Sequence, residues 1–210
     1  MGEKKVRSFV ALEIPPALQE RLAALQAELR RARVPARWVR PEGIHLTLKF
    51  LGELAAPRLA AAAEALREAA AGTAAFGLRA GGVGVFPDLR RPRVLWVGVE
   101  DESGCLEPLV RRLEAAFARR GFPPEGRPFR AHLTLGRFRE PDAGGTIAQA
   151  LGRFRDFALG EVPAEAMVLY RSELLPEGAR YHEIARCAFE AVRKTPFPAR
   201  PDEPGAADRT

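Results

Sequence analysis

With 210 residues, 47% hydrophobic and 29% charged, the chain has the size and composition of one soluble globular domain, or of two small lobes sharing a core. No apolar run approaches the ~20 residues of a membrane helix, and the N-terminal stretch leads into a strand-like segment instead of a signal-peptide core. The net charge of +6 and the pI of about 10.0 favour an anionic partner such as a nucleotide or RNA.

Val6 to Ile14 reads as a buried strand, ended by Pro15-Pro16. Leu18, Leu22, Leu25 and Leu29 then mark one face of an amphipathic helix whose far end carries Arg30, Arg31 and Arg33. Trp38 to Gly43 turns into a strand over about 44–51, followed by a helix from about Pro57 to Ala71 with Leu59, Ala63, Leu66 and Ala70 on one side. A strand over 76–86, broken by Gly81-Gly82, precedes one over 93–100 that is apolar on both faces, as a covered central strand should be. A helix over about 104–120 presents Leu106, Leu109, Leu113 and Phe117 and is stopped by Gly121. The remaining elements are a strand over 129–139, a short helix near 147–154, and two strands over about 166–174 and 180–189. Residues 195–210, with four prolines, read as a disordered tail after a single domain spanning 1–194. Cys105 and Cys187 have no paired spacing typical of a zinc or redox motif, so two buried free thiols in a reducing cytoplasm are expected.

The word His-Leu-Thr-Leu occurs twice, at His45–Leu48 and at His132–Leu135. With three histidines and six threonines in the chain, two histidines followed at two places by threonine would arise by chance roughly 0.3% of the time. On a strand, residues i and i+2 share a face. His45 and Thr47 therefore point one way while Leu46 and Leu48 point the other, and His132 and Thr134 repeat the pattern. The order of elements around the two words suggests an internal duplication, an α+β chain in which two lobes each give one motif strand to a shared groove. No glycine fingerprint opens a helix as in a doubly wound dinucleotide-binding sheet, and there is no P-loop.

Two imidazoles across a groove suit acid–base work at a phosphate, since near neutrality one ring can hold its proton while the other lacks it. The hydroxyls of Thr47 and Thr134 can donate to non-bridging phosphoryl oxygens, and Arg130 and Arg137 can offset charge in the transition state. Arg130 shares the face of His132, whereas Arg137 reaches that face only if the strand bulges. No metal is required, and two histidines without a carboxylate at motif spacing are too few to hold one. A lone histidine is more often structural than catalytic, and threonine is a good strand former; the repeated offset weighs against both plain readings. His182, with no threonine partner, is read as core or surface. Trp38, Phe9 and Phe86 are read first as core and second as base-stacking platforms.

These residues resemble the two-histidine (2H) phosphoesterases, and among them the RNA 2′,3′-cyclic phosphodiesterases, also called 2′-5′ RNA ligases. The likeness spans most of residues 5–190. It rests on Arg7-Ser8-Phe9-Val10-Ala11, Arg37-Trp38-Val39, His45 through Gly52, and Phe129 through Arg137, with Ala131 where members of the family commonly have proline. The resemblance implies a bilobal duplicated α+β fold, with two antiparallel-type sheets and outer helices around a central cleft. It implies hydrolysis of a terminal 2′,3′-cyclic phosphate to a 2′-phosphomonoester without metal or other cofactor, His45 acting as acid and His132 as base. Ligation would be the same chemistry with an RNA 5′-hydroxyl in place of water. The expected partner is RNA with a cyclic phosphate end, such as a tRNA half, met by a cytoplasmic monomer with no membrane attachment. The rival readings are a phosphodiesterase for a small nucleotide such as an ADP-ribose cyclic phosphate, and a non-catalytic RNA-binding module.

Overall fold

The computed structural model describes residues 5–139, 145–175 and 178–191; the expected tail at 195–210 lies outside them. The elements run β1 (Val6–Leu12), α1 (Pro16–Arg31), β2 (Arg37–Trp38), a 3₁₀ turn at Pro41–Gly43, β3 (Leu46–Leu54), α2 (Ala56–Ala70), β4 (Phe76–Phe86), β5 (Val94–Glu100), α3 (Leu106–Arg119), β6 (His132–Arg137), α4 (Thr146–Arg153), β7 (Ala158–Ala164), β8 (Ala166–Leu175) and β9 (Gly178–Ala188).

The strands follow the order β7-β4-β5-β6-β3-β1-β8-β9, with β2 added alongside β6, and every named pair is antiparallel. The two motif strands meet at the centre through one residue pair, Leu46 with Leu133. That contact divides the sheet into two halves, β3-β1-β8-β9 and β7-β4-β5-β6. The two sheets expected from the duplication are thus the wings of one, and each wing carries one motif at its inner edge. The glycine pair in the middle of β4 does not end the strand. It makes a bulge, with Gly82 at φ +62° and a register shift between Gly81 and Val83.

The helices cross between the wings. α1 leaves β1 but lies over the second wing, where Arg21 Nη2 donates to the Ala158 carbonyl at 2.9 Å. Gln26, fully buried on α1, donates from Nε2 to the carbonyls of Val39 at 2.8 Å and Leu135 at 3.0 Å. α3 leaves β5 of the second wing and packs with α2 over the first. Its apolar face, Leu106, Leu109, Leu113 and Phe117, is buried, each such side chain contributing roughly 1.5–3 kcal/mol by leaving water. Lys49, directly after the first motif, is 1% exposed and points into this layer. Its ammonium donates to both carboxylate oxygens of Glu114 at 2.8 Å and to the Pro123 carbonyl at 3.0 Å. Burial of that charge is tolerable only because all three of its protons find oxygen. Among the described residues no helix is long and apolar enough to cross a membrane. Both cysteines are free thiols, as expected, but Cys105 is exposed at the start of α3 and Cys187 is only partly covered.

Candidate active site

Leu46 and Leu133, both fully buried, point into the core at the junction of the wings. Their neighbours in each chain direction, His45, Thr47, His132 and Thr134, therefore project from the opposite face. Because the two strands run antiparallel, one step away from the leucine pair carries His45 toward Thr134 and Thr47 toward His132. The structure thus brings all four motif side chains together on one face, in a crossed arrangement, and the charge of His132 is felt at His45.

Each histidine is held in the same way. His45 Nδ1 lies 2.8 Å from the Gly43 carbonyl, and His132 Nδ1 lies 2.7 Å from the Arg130 carbonyl. A carbonyl oxygen only accepts, so Nδ1 carries the proton in both rings, and Nε2 is left to face the groove as the basic nitrogen. The 3₁₀ turn supplies the Gly43 carbonyl, and a side chain at Gly43 would meet the Tyr181 ring at 3.3 Å from its Cβ.

The surroundings of the two rings differ. His45 stacks on Phe9 with centroids 4.6 Å apart and planes at 17°, and Tyr181 meets it edge-on at 5.1 Å. Phe9 in turn stacks on Tyr170, whose hydroxyl donates to Glu13 at 2.6 Å. Burial in this aromatic cluster pushes His45 down to about 4; the Gly43 carbonyl opposes that shift and the His132 charge adds to it. His132 is met edge-on by Phe86 at 5.0 Å, and Phe86 packs against Trp96. Burial holds His132 below the usual histidine value, against the Arg130 carbonyl and with help from the Arg137 guanidinium.

Arg137 reaches the groove by the bulge that its position demands. On β6, Thr134 faces Trp96 and Gly136 faces Leu95, so Leu135 is the extra residue and the alternation resets after it. Arg137 then lies on the side of His132, and its charge acts on both His132 and Tyr181. β3 carries a matching bulge at Leu48, since Val10 pairs with Lys49 and Ala11 with Thr47. Phe50, 49% exposed and 6.3 Å from Phe9, holds the position in the first motif that Arg137 holds in the second. Arg130 is exposed and lies over the Phe86 ring at 5.8 Å. His182 is apart from the groove and pairs with Glu173 at 3.2 Å, in line with a surface role.

Sequence reasoning missed Tyr181, Arg7 and Arg40, although the charges of both arginines act on that phenol. Tyr181 sits beside His182 on a late strand, and nothing local marks it as a neighbour of His45. Among the described residues no group of three or more His, Cys, Asp or Glu could hold a metal ion. The arrangement is two Nε2 atoms, two hydroxyls and a guanidinium on one face, suited to moving protons at an anionic centre.

A family model described as LigT like Phosphoesterase matches residues 12–96 and again 97–181. An RNA 2′,3′-cyclic phosphodiesterase of Methanothermobacter thermautotrophicus is 33% identical over 180 residues, covering 86% of this chain and 97% of its own. One from Aquifex aeolicus is 30% identical over 179 residues, covering 85% and 94%. Among solved structures, TT0787 of Thermus thermophilus superposes with a TM-score of 0.74 at 28% identity, over 89% of this chain and 99% of that one. E. coli LigT complexed with 3′-AMP superposes with a TM-score of 0.72 at 26% identity, with the same coverage.

Proposed function

The chain belongs to the LigT-like phosphoesterase family, and on that footing we propose that it hydrolyses RNA 2′,3′-cyclic phosphate ends to 2′-phosphomonoesters. The observation that carries the proposal is the pair of imidazoles on one face, each with Nδ1 committed to a backbone carbonyl and Nε2 left for the substrate. With the cyclic phosphate between the rings, Nε2 of neutral His132 takes a proton from water as its oxygen attacks phosphorus. His45, protonated on Nε2, gives its proton to the departing 3′ oxygen. Thr47 and Thr134 donate to the non-bridging oxygens, and Arg137, with Arg130 at the rim, balances the charge that grows on them. No step needs a metal or a cofactor. The same site joins RNA ends when a 5′-hydroxyl replaces water, giving a 2′-5′ linkage. We take the protein to act as a cytoplasmic monomer on RNA.

Turnover of an RNA oligonucleotide with a 2′,3′-cyclic phosphate end, in EDTA, tests this reading. The wild type is expected to give the 2′-phosphate, with losses of about 10²–10⁴-fold in His45→Ala and in His132→Ala. A substrate whose 3′ leaving atom is sulfur needs no acid, so it should restore His45→Ala and leave His132→Ala inactive. Activity that survives both substitutions, or vanishes in EDTA, would overturn the mechanism.

A further inference from the structure

The two wings fill the space beside their histidines differently. In the first, Phe9, Tyr170 and Tyr181 occupy it and enclose His45. In the second, the residues in register with His132 are Gly98 on β5 and then Gly81 on β4, so the floor beside this ring is bare backbone. The glycines are required by close approach. A Cβ on Gly81 would lie 2.7 Å from the Phe157 carbonyl oxygen, and one on Gly84 would lie 2.3 Å from the indole of Trp96. Gly81, Gly84 and Gly98 are among the residues that line a cavity of about 1130 Å³, which opens on His132 and does not include His45. Phe86 and Trp96 form its aromatic wall, Ala148, Leu151 and Gly152 of α4 line it as well, and Arg130 and Arg155 line it with cationic groups. Asp88 and Glu100 line it too; Oδ1 of Asp88 accepts from the backbone N–H groups of Arg90 and Arg91.

We infer that this cavity receives the 5′-terminal nucleotide of an acceptor RNA, the strand whose 5′-hydroxyl attacks in ligation. The inference rests on the assignment of His132 as base given above. In an in-line displacement the nucleophile enters on the side of the base and the leaving oxygen departs on the side of the acid. The strand that bears the cyclic phosphate carries the leaving 3′ oxygen and stays joined to phosphorus through its 2′ oxygen, so its terminal ribose belongs with His45. What lies beside His132 is the nucleophile, and hydrolysis asks that side to hold one water, whose share of liquid volume is about 30 Å³. A cavity of about 1130 Å³ is instead of the size that takes an organic ligand. Aromatic faces suit a base, and guanidinium groups suit the phosphate that follows it. The step balances: His132 takes the 5′-hydroxyl proton, the 5′ oxygen–phosphorus bond forms, the phosphorus–3′ oxygen bond breaks, and His45 protonates the 3′ oxygen. One phosphodiester replaces another, so no energy donor enters.

The test is to fill the cavity from the α4 side. Ala148 is exposed, and a Cβ on Gly152 meets nothing within 4 Å, so Ala148→Trp and Gly152→Trp leave the core unaltered. Each protein is given a cyclic phosphate RNA with an excess of 5′-hydroxyl RNA, and hydrolysis and 2′-5′ joining are read from the same reaction. Joining should fall at least about tenfold in both variants, equivalent to about 1.4 kcal/mol of lost acceptor binding, while hydrolysis stays within about twofold. Equal loss of both would mean that the cavity holds the cyclic phosphate strand, and would overturn the inference. Loss of neither, or a wild type that hydrolyses but joins no 5′-hydroxyl RNA, would overturn it as well. A wild type that turns over no cyclic phosphate RNA refutes the proposed function itself, and this inference with it.

Discussion

The proposed acid–base pair makes a specific demand on pH, because both rings are depressed in the empty groove. His45 lies at about 4, from burial against its aromatic neighbours, and His132 is below its ordinary value from burial and the Arg137 charge. At neutral pH the free protein therefore holds two neutral imidazoles, while the reaction needs one of them protonated. kcat/KM, which follows the free enzyme, should peak on the acid side of neutrality and fall about tenfold per pH unit beyond the peak. Bound substrate alters this balance. One negative charge about 4 Å from the ring, at an effective dielectric constant of about 20, favours imidazolium by about 4 kcal/mol. That is about three pH units, enough to lift a histidine at about 4 to near neutrality. The profile of kcat should accordingly extend roughly two to three pH units further toward the alkaline side than that of kcat/KM. Initial rates with a cyclic phosphate oligonucleotide, taken from about pH 4 to about pH 9, separate the two parameters, and the phosphodiester does not titrate in that range. A kcat/KM level across neutrality, or two profiles with the same alkaline limb, would refute the reasoning.

Three further outcomes are expected. Glu114→Gln should cost about 3–5 kcal/mol in urea unfolding, because it leaves the buried ammonium of Lys49 without its counter-ion; Lys49→Met should cost less, since Glu114 is 26% exposed and can be hydrated. Arg137→Gln should lower kcat about 10²-fold by removing a charge aimed at the phosphate, and should raise the His132 midpoint in a proton NMR titration because a depressing charge is gone. Phe9→Leu removes the ring stacked on His45, so the His45 midpoint should climb toward its ordinary value; a midpoint left in place would show that the stack is not what excludes water from that ring.

The motif strands were legible because the two-residue period forces histidine and threonine onto one face, and the helices because their leucines recur at helical spacing. Even the position of Arg137 could be stated as a condition, that it joins the groove if the strand bulges, and Leu135 supplies that bulge. β7 escaped notice for a physical reason. Its sequence, with Gly160 and Pro163, lacks a run of strand formers, and it lies at the outer edge of the sheet, where a missing N–H is tolerated. The crossing of α1 and α3 between the wings is equally invisible, since an amphipathic helix states which face it buries and not against which sheet. The same holds for Tyr181 and Tyr170, which become neighbours of His45 only through the pairing of β1 with β8 and β8 with β9.

The crossed motifs form an approximate dyad through the Leu46–Leu133 pair. In a true homodimer of one repeat, the two imidazoles on such an axis would be identical, with equal proton affinities and no intrinsic direction for proton flow. Placing both repeats on one polypeptide breaks that equivalence. One ring has been walled in by Phe9 and Tyr181, and the other left beside bare glycine backbone. Covalent fusion thus gives the site a polarity, a buried end and an open end, that identical subunits could not encode.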